Sequence, residues 1–173
     1  MKRAKTLKIA NTALFAALIC AATVTVQIPV PATHGYVNLG DCFVILAGVF
    51  LGPLCGALAG GFGSALSDII FGYTAYAPAT LMIKALMALT AGIITRKFKS
   101  RNGIILGALP AEIIMTGGYF LYESVILRYG RAAFAEIPMN LIQGAAGMIA
   151  SYLLYSAIYK SEKLKRILSG KGE

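Results

Sequence analysis

Thirteen of the 16 lysines and arginines in this 173-residue chain fall into three short clusters, and nothing else in the sequence narrows its fold as far. Lys2, Arg3, Lys5 and Lys8 open the chain. Arg96, Lys97, Lys99 and Arg101 lie just past its middle, and Lys160, Lys163, Lys165, Arg166 and Lys171 close it. Long, mostly apolar stretches separate them. Lysine and arginine collect in cytoplasmic loops, so the three clusters belong on one face of a membrane and each intervening block crosses it an even number of times. Composition agrees: 58% of residues are hydrophobic and 13% charged, against about 25% charged in soluble domains. The length suits about six spans with short loops. A net charge of +9 raises the question of nucleic acid, but the basic residues sit at span ends rather than on a folded basic face. They orient the chain and meet anionic membrane lipid. We therefore expect an all-α integral membrane protein, a six-transmembrane-helix bundle in one domain (residues 1–173), with both termini cytoplasmic.

Six helices are predicted, at about 7–28, 39–51, 54–71, 78–96, 103–123 and 138–159. Pro29 and Pro31 end the first, because proline cannot continue the helical hydrogen-bond ladder. Residues 29–38 then read as an irregular segment on the far side from the N-terminus. The second helix, stopped by Gly52-Pro53, is shorter than the 17–25 residues of a full span, so it is expected to be tilted or sunken. Residues 2–22 have the look of a secretory leader, but the apolar run continues to Ile28 without a good cleavage context, and we expect no cleavage.

Small residues mark packing seams. Ala13, Ala17 and Ala21 line one strip of the first helix, where another helix can approach closely. Gly52, Gly56, Gly60 and Ser64 form a second ladder leading to Asp68, and Gly144, Gly147 and Ser151 a third; both read as packing inside the bundle. Ionisable groups at membrane depth are costly and mark function. The candidates are Asp41, Asp68, Lys84, Glu112 and Glu123. Lys84 is expected to pair with a carboxylate or hold a ligand. Glu112, Thr116, Tyr119 and Glu123 share one helix face, as do Glu136, Asn140, Gln143, Gly144 and Gly147. Asn38-Leu-Gly-Asp41 reads as a helix N-terminal cap, and Asp41 and Asp68 are expected to be structural. His34 reads as a solvated loop residue. Tyr36, Tyr73 and Tyr76 lie on the outward side among these polar groups, an arrangement suited to a flat polar small molecule.

Several classes are set aside. Cys20, Cys42 and Cys55 are odd in number and form no C-x-x-C, so neither a disulfide framework nor a metal site is indicated. No phosphate-binding loop or hydrolase motif occurs, so the chain is not expected to be an enzyme, to bind ATP or to carry a cofactor.

The stretch HGYVNLGDCFVILAGVFLGPLCGALAGGFGSALSDIIFGYTAYAPATLMIKAL (34–86), with EIPMNLIQGAAG (136–147), resembles the substrate-binding S component of energy-coupling factor (ECF) vitamin transporters. It is most similar to the riboflavin-type group, which includes proteins for pyridoxine and hydroxymethylpyrimidine. The resemblance implies a bacterial plasma-membrane protein that binds a vitamin from outside. Its partners would be a T component and two ATPase subunits, which consume the ATP, and it would topple in the membrane to deliver its cargo. The alanine strip (Ala13, Ala17, Ala21) matches the surface that docks onto the T component. Carried over by position, the family pocket falls on Tyr36, Asn38, Tyr76, Lys84, Glu112, Tyr119, Asn140 and Gln143. On this reading Lys84 holds an anionic or carbonyl group or is neutralised by Glu112, Asn140 and Gln143 read a ring edge, and tyrosines stack on it. The alternative is an autonomous transporter coupled to protons through Glu112 and Glu123.

Overall fold

The computed structural model describes residues 2–98 and 102–159; the basic residues Lys99, Arg101, Lys160, Lys163, Lys165, Arg166 and Lys171 lie outside them. Helix α1 (Lys2–Thr25) leads into a hairpin of β1 (Gln27–Val30) and β2 (Gly35–Asn38). Then come α2 (Gly40–Leu51), α3 (Pro53–Ile70), α4 (Ala77–Phe98), α5 (Gly103–Leu121) and α6 (Glu136–Tyr159). A π-helical turn (Tyr122–Ile126) and a 3₁₀ turn (Gly130–Ala135) join the last two helices. Among the described residues, five helical stretches are long and apolar enough to cross a membrane. Their outward faces are apolar, as with Leu54, Phe62 and Ile70 on α3 and Ile113 on α5.

The sixth helix, α2, has 12 residues, which span only about 18 Å. It is neither a surface helix nor a full span. Val44, Ile45 and Ala47 are fully buried, and α2 packs against α1, α3, α4 and α6 as the centre of the bundle. Glycines allow this. A Cβ on Gly48 would meet the Ala88 carbonyl of α4, and one on Gly56 would lie 2.5 Å from the Gly48 Cα. At the elbow between α2 and α3, Gly52 adopts φ +92°, a left-handed conformation that glycine takes without cost, and the Arg96 guanidinium lies against it.

The hairpin differs from the irregular segment expected at 29–38. Helix α1 stops at Thr25 rather than Ile28, and Gln27–Val30 pairs antiparallel with Gly35–Asn38, Pro29 opposite Tyr36. Pro29 and Pro31 disfavour helical backbone in the residues before them. Strand pairing then satisfies backbone groups that lipid cannot. His34, at the turn, has φ 55°. The other helices begin and end within about two residues of the predicted bounds, except that the segment after α5 is wound into the π and 3₁₀ turns rather than left as a loop. The hairpin, residues 71–76 and these turns gather at one end of the bundle, joined by Tyr76 to Thr33 and Tyr122 to Ala75. The α2–α3 elbow, the last turn of α4 and the first turn of α5 lie at the other, where Arg96 meets Gly52 and Thr95 meets Gly103.

Candidate functional site

A polar cleft opens beneath the hairpin, between β2 and the upper ends of α3, α4, α5 and α6. Its floor is a chain of hydrogen bonds. Lys84 of α4 forms a buried ion pair with Asp41 Oδ1 of α2. Gln143 Nε2 of α6 donates to Asp41 Oδ2 at 2.6 Å, and Gln143 Oε1 accepts from the Asn38 backbone N–H at 2.6 Å. The Asn38 side chain accepts from the Gly40 N–H at 2.8 Å. Asn38, not Asp41, is thus the residue that closes the turn into α2. Asp41 is drawn inward because its two oxygens answer the ammonium and the amide. The lysine ammonium also sits 5.5 Å from the centre of the Tyr119 ring, a favourable cation–π placement.

The walls are aromatic and acidic. Tyr36 donates to Asp68 Oδ1 at 2.5 Å, and its ring packs on Tyr73 with centroids 4.5 Å apart. Burial, and then the Asp68 carboxylate, push the Tyr36 phenol well above its ordinary pKa, so it remains a donor. Tyr76 donates to the Thr33 carbonyl at 2.7 Å and lies 3.2 Å from Glu123 Oε1. Burial, and then Glu123, raise its pKa as well. Tyr119 and Thr80 share a hydrogen bond of 3.0 Å. Glu136, at the start of α6, accepts from the Thr33 hydroxyl and ties down the hairpin turn. Asn140, one turn further along α6, is buried and lines the cleft. The free volume among these groups is about 20 Å³, room for roughly one water molecule.

Of the eight residues assigned to the pocket from sequence, seven line this cleft: Tyr36, Asn38, Tyr76, Lys84, Tyr119, Asn140 and Gln143. Glu112 does not. It shares a helical face with Tyr119 but lies seven residues, about 10 Å, further down α5. Its carboxyl group lies below the floor, against Gly144 and Gly147 of α6, with no hydrogen-bond partner for either oxygen. Lys84 is accordingly neutralised by Asp41 and not by Glu112. Asp68, read from sequence as structural, lines the cleft, as do Thr23, Ser64 and Thr80. The four-residue spacing from Gly52 to Ser64 continues to Asp68 and could have placed it on the inward stripe of α3. Among the described residues no group of three or more His, Cys, Asp or Glu side chains could hold a metal ion.

The alanine strip lies elsewhere. Ala13, Ala17 and Ala21 are exposed on the outer face of α1. The contact inside the bundle is made by Ala16, whose backbone would lie 2.6 Å from a Cβ on Gly63 of α3.

The family described as ECF-type riboflavin transporter, S component, matches residues 3–160. An uncharacterised protein of the gap 3′ region of Pyrococcus woesei is 39% identical over 73% of this chain and 84% of its own length. The thiamine precursor transporter HmpT of Lactococcus lactis subsp. cremoris is 26% identical over 77% of this chain and 76% of its own. The solved structure of the S component of a bacterial ECF transporter superimposes with a TM-score of 0.74, covering 92% of this chain and 99% of that one at 24% identity.

Proposed function

The chain belongs to the ECF-type riboflavin transporter S-component family, and we propose that it captures a small heterocyclic vitamin or precursor in the cleft beneath its hairpin. It is a substrate-binding subunit and not an enzyme. Family membership also replaces the autonomous proton-coupled reading. The vitamin is of riboflavin, pyridoxine or hydroxymethylpyrimidine type, the last in keeping with the thiamine-precursor relative. Tyr36, Tyr76 and Tyr119 stack on the ring, and Asn38, Asn140 and Gln143 meet its polar edge. Lys84, held by Asp41, positions the floor.

One observation carries this reading: aromatic faces and convergent polar groups meet in a single cleft at the hairpin end. The cleft is too small as it stands for a heterocycle, so binding exchanges contacts within the protein for contacts with the ligand. The hairpin is the part that gives way, because polar contacts from Thr33, Tyr36 and Asn38, which a ligand's own polar groups can replace, tie it to the bundle. The hairpin end faces outward, and the clustered lysines and arginines face the cytoplasm at a plasma membrane. There the exposed face of α1 meets a T component, and two ATPase subunits supply the energy from ATP. Native mass spectrometry of the protein purified from vitamin-replete cells tests the proposal. A bound heterocycle is expected in the wild type and lost in Asn140→Ala. Wild-type protein that stays free of ligand through saturating additions of all three vitamin types would overturn it.

A further inference from the structure

The described acidic residues of this strongly basic chain are not where solubility or orientation would put them. All five in the described residues are buried: Asp41, Asp68, Glu112, Glu123 and Glu136 expose no more than 7% of their surface. Asp68, Glu123 and Glu136 line the cleft, and Asp41 and Glu112 lie beneath it. Lys84 is a buried cation there, and its charge is already matched by Asp41, whose second oxygen is taken by Gln143. The carboxyl groups of Asp68, Glu123 and Glu136 line the cleft with no ion-pair partner among the described residues.

Among the buried carboxyl oxygens of these three residues, two have no hydrogen-bond partner. They are Asp68 Oδ2 and Glu123 Oε2, on residues only 2% and 1% exposed. A buried acceptor left without a donor costs about 1–3 kcal/mol, more if charged. Tyr36 donates to the other oxygen of Asp68, and the Tyr76 hydroxyl, whose proton goes to the Thr33 carbonyl, lies 3.2 Å from the other oxygen of Glu123. The tyrosine rings beside them offer the negative faces that attract cations.

Building on the vitamin-binding reading above, we propose that the cleft selects a cationic or amine-bearing heterocycle, whose N–H donors or positive charge meet Asp68 and Glu123. An anionic ligand is disfavoured, because among the described residues the one ammonium in the cleft is occupied and three carboxyl groups oppose it. A flat ring with an exocyclic amine beside a protonatable ring nitrogen fits best, since a carboxylate can accept both donors at once.

Isothermal titration of the full chain in detergent tests this with four probes: thiamine (a permanent cation), hydroxymethylpyrimidine (an exocyclic amine), riboflavin (neutral) and pyridoxal phosphate (an anion). Thiamine or hydroxymethylpyrimidine is expected to bind at least tenfold tighter than the other two. Asp68→Asn and Glu123→Gln, which keep the side-chain shape, are each expected to weaken that binding tenfold or more. Tighter binding of riboflavin or pyridoxal phosphate would overturn the inference while sparing the vitamin-binding reading. Unchanged affinity in both variants would also overturn it. Failure of all four probes, and of pyridoxine added as a fifth, to bind would remove both. Should either variant not fold, the order of the four affinities in the wild type decides.

Discussion

At the scale of single residues, the Lys84–Asp41 pair decides how the cleft is built. Neither partner is more than 3% exposed. An ion pair so placed adds little net stability over an apolar substitute, but removing one member leaves a buried charge uncompensated at about 3–5 kcal/mol. Asp41 also holds Gln143, which in turn holds the backbone of Asn38, so one pair ties α4, α2, α6 and β2 together. Lys84→Met is therefore expected to destabilise the protein by about 3–5 kcal/mol, and its effect on ligand binding would be secondary to that loss. Adding Asp41→Asn removes the stranded charge and should recover most of the stability, a coupling that a double-mutant cycle measures. Thermal unfolding in one detergent is the assay. A single variant as stable as wild type, or a double variant no better than the single, would contradict this account.

At the scale of elements, the close approach of α2, α3 and α4 makes the bundle possible, because it lets a 12-residue helix fill the centre. Ridges of larger side chains would hold these axes apart. Gly48→Ala places a methyl against the Ala88 carbonyl, where backbone has to move, and overpacking of that kind costs about 1–3 kcal/mol. Gly117 on α5 is the control: a Cβ there meets nothing within 4 Å. Gly117→Ala should be neutral or stabilise by up to about 1 kcal/mol, since glycine disfavours helix interiors. The difference in melting temperature between the two variants checks the argument, and equal stabilities would refute it. The helices were legible in the sequence because apolar length and proline or glycine punctuation are local signals. Tyr119 and Glu123, and likewise Asn140 and Gln143, could be assigned to shared faces for the same reason. The hairpin was not legible, since a proline-rich stretch reads as irregular until a partner strand is in place. Nor was the Lys84–Asp41 pair, 43 residues apart in sequence, because nothing local says which of several buried carboxylates a lysine will meet. Periodicity gave Glu112 its face but not its depth, and depth decides which side of the floor it occupies.

At the scale of the whole molecule, the protein divides its work between two ends and one side. Polar and aromatic side chains gather under the hairpin, the described basic residues Lys5, Lys8, Arg96 and Lys97 lie toward the opposite end, and α1 leaves one face bare. Only 17% of the apolar window of α1 is buried. Phe15, Ile19 and Thr23 face the bundle, and the close contact with α3 runs through Ala16. The alanines at 13, 17 and 21 are thus not needed for packing within the chain. Small side chains in a row let another helix come near enough for backbone contact, the main source of helix association in lipid. A leucine at position 13 or 17 would sit comfortably in lipid, and both positions lie more than a helical turn from Thr23 at the cleft, so enlarging them should not disturb the fold or the cleft. Ala13→Leu combined with Ala17→Leu is accordingly expected to leave ligand affinity and melting temperature of the purified protein unchanged. Uptake of the same vitamin by cells supplying the T component and ATPase subunits should fall at least tenfold. Uptake at the wild-type rate would mean that α1 faces lipid alone, and a loss of affinity in the isolated protein would mean that the strip shapes the cleft rather than a partner's seat.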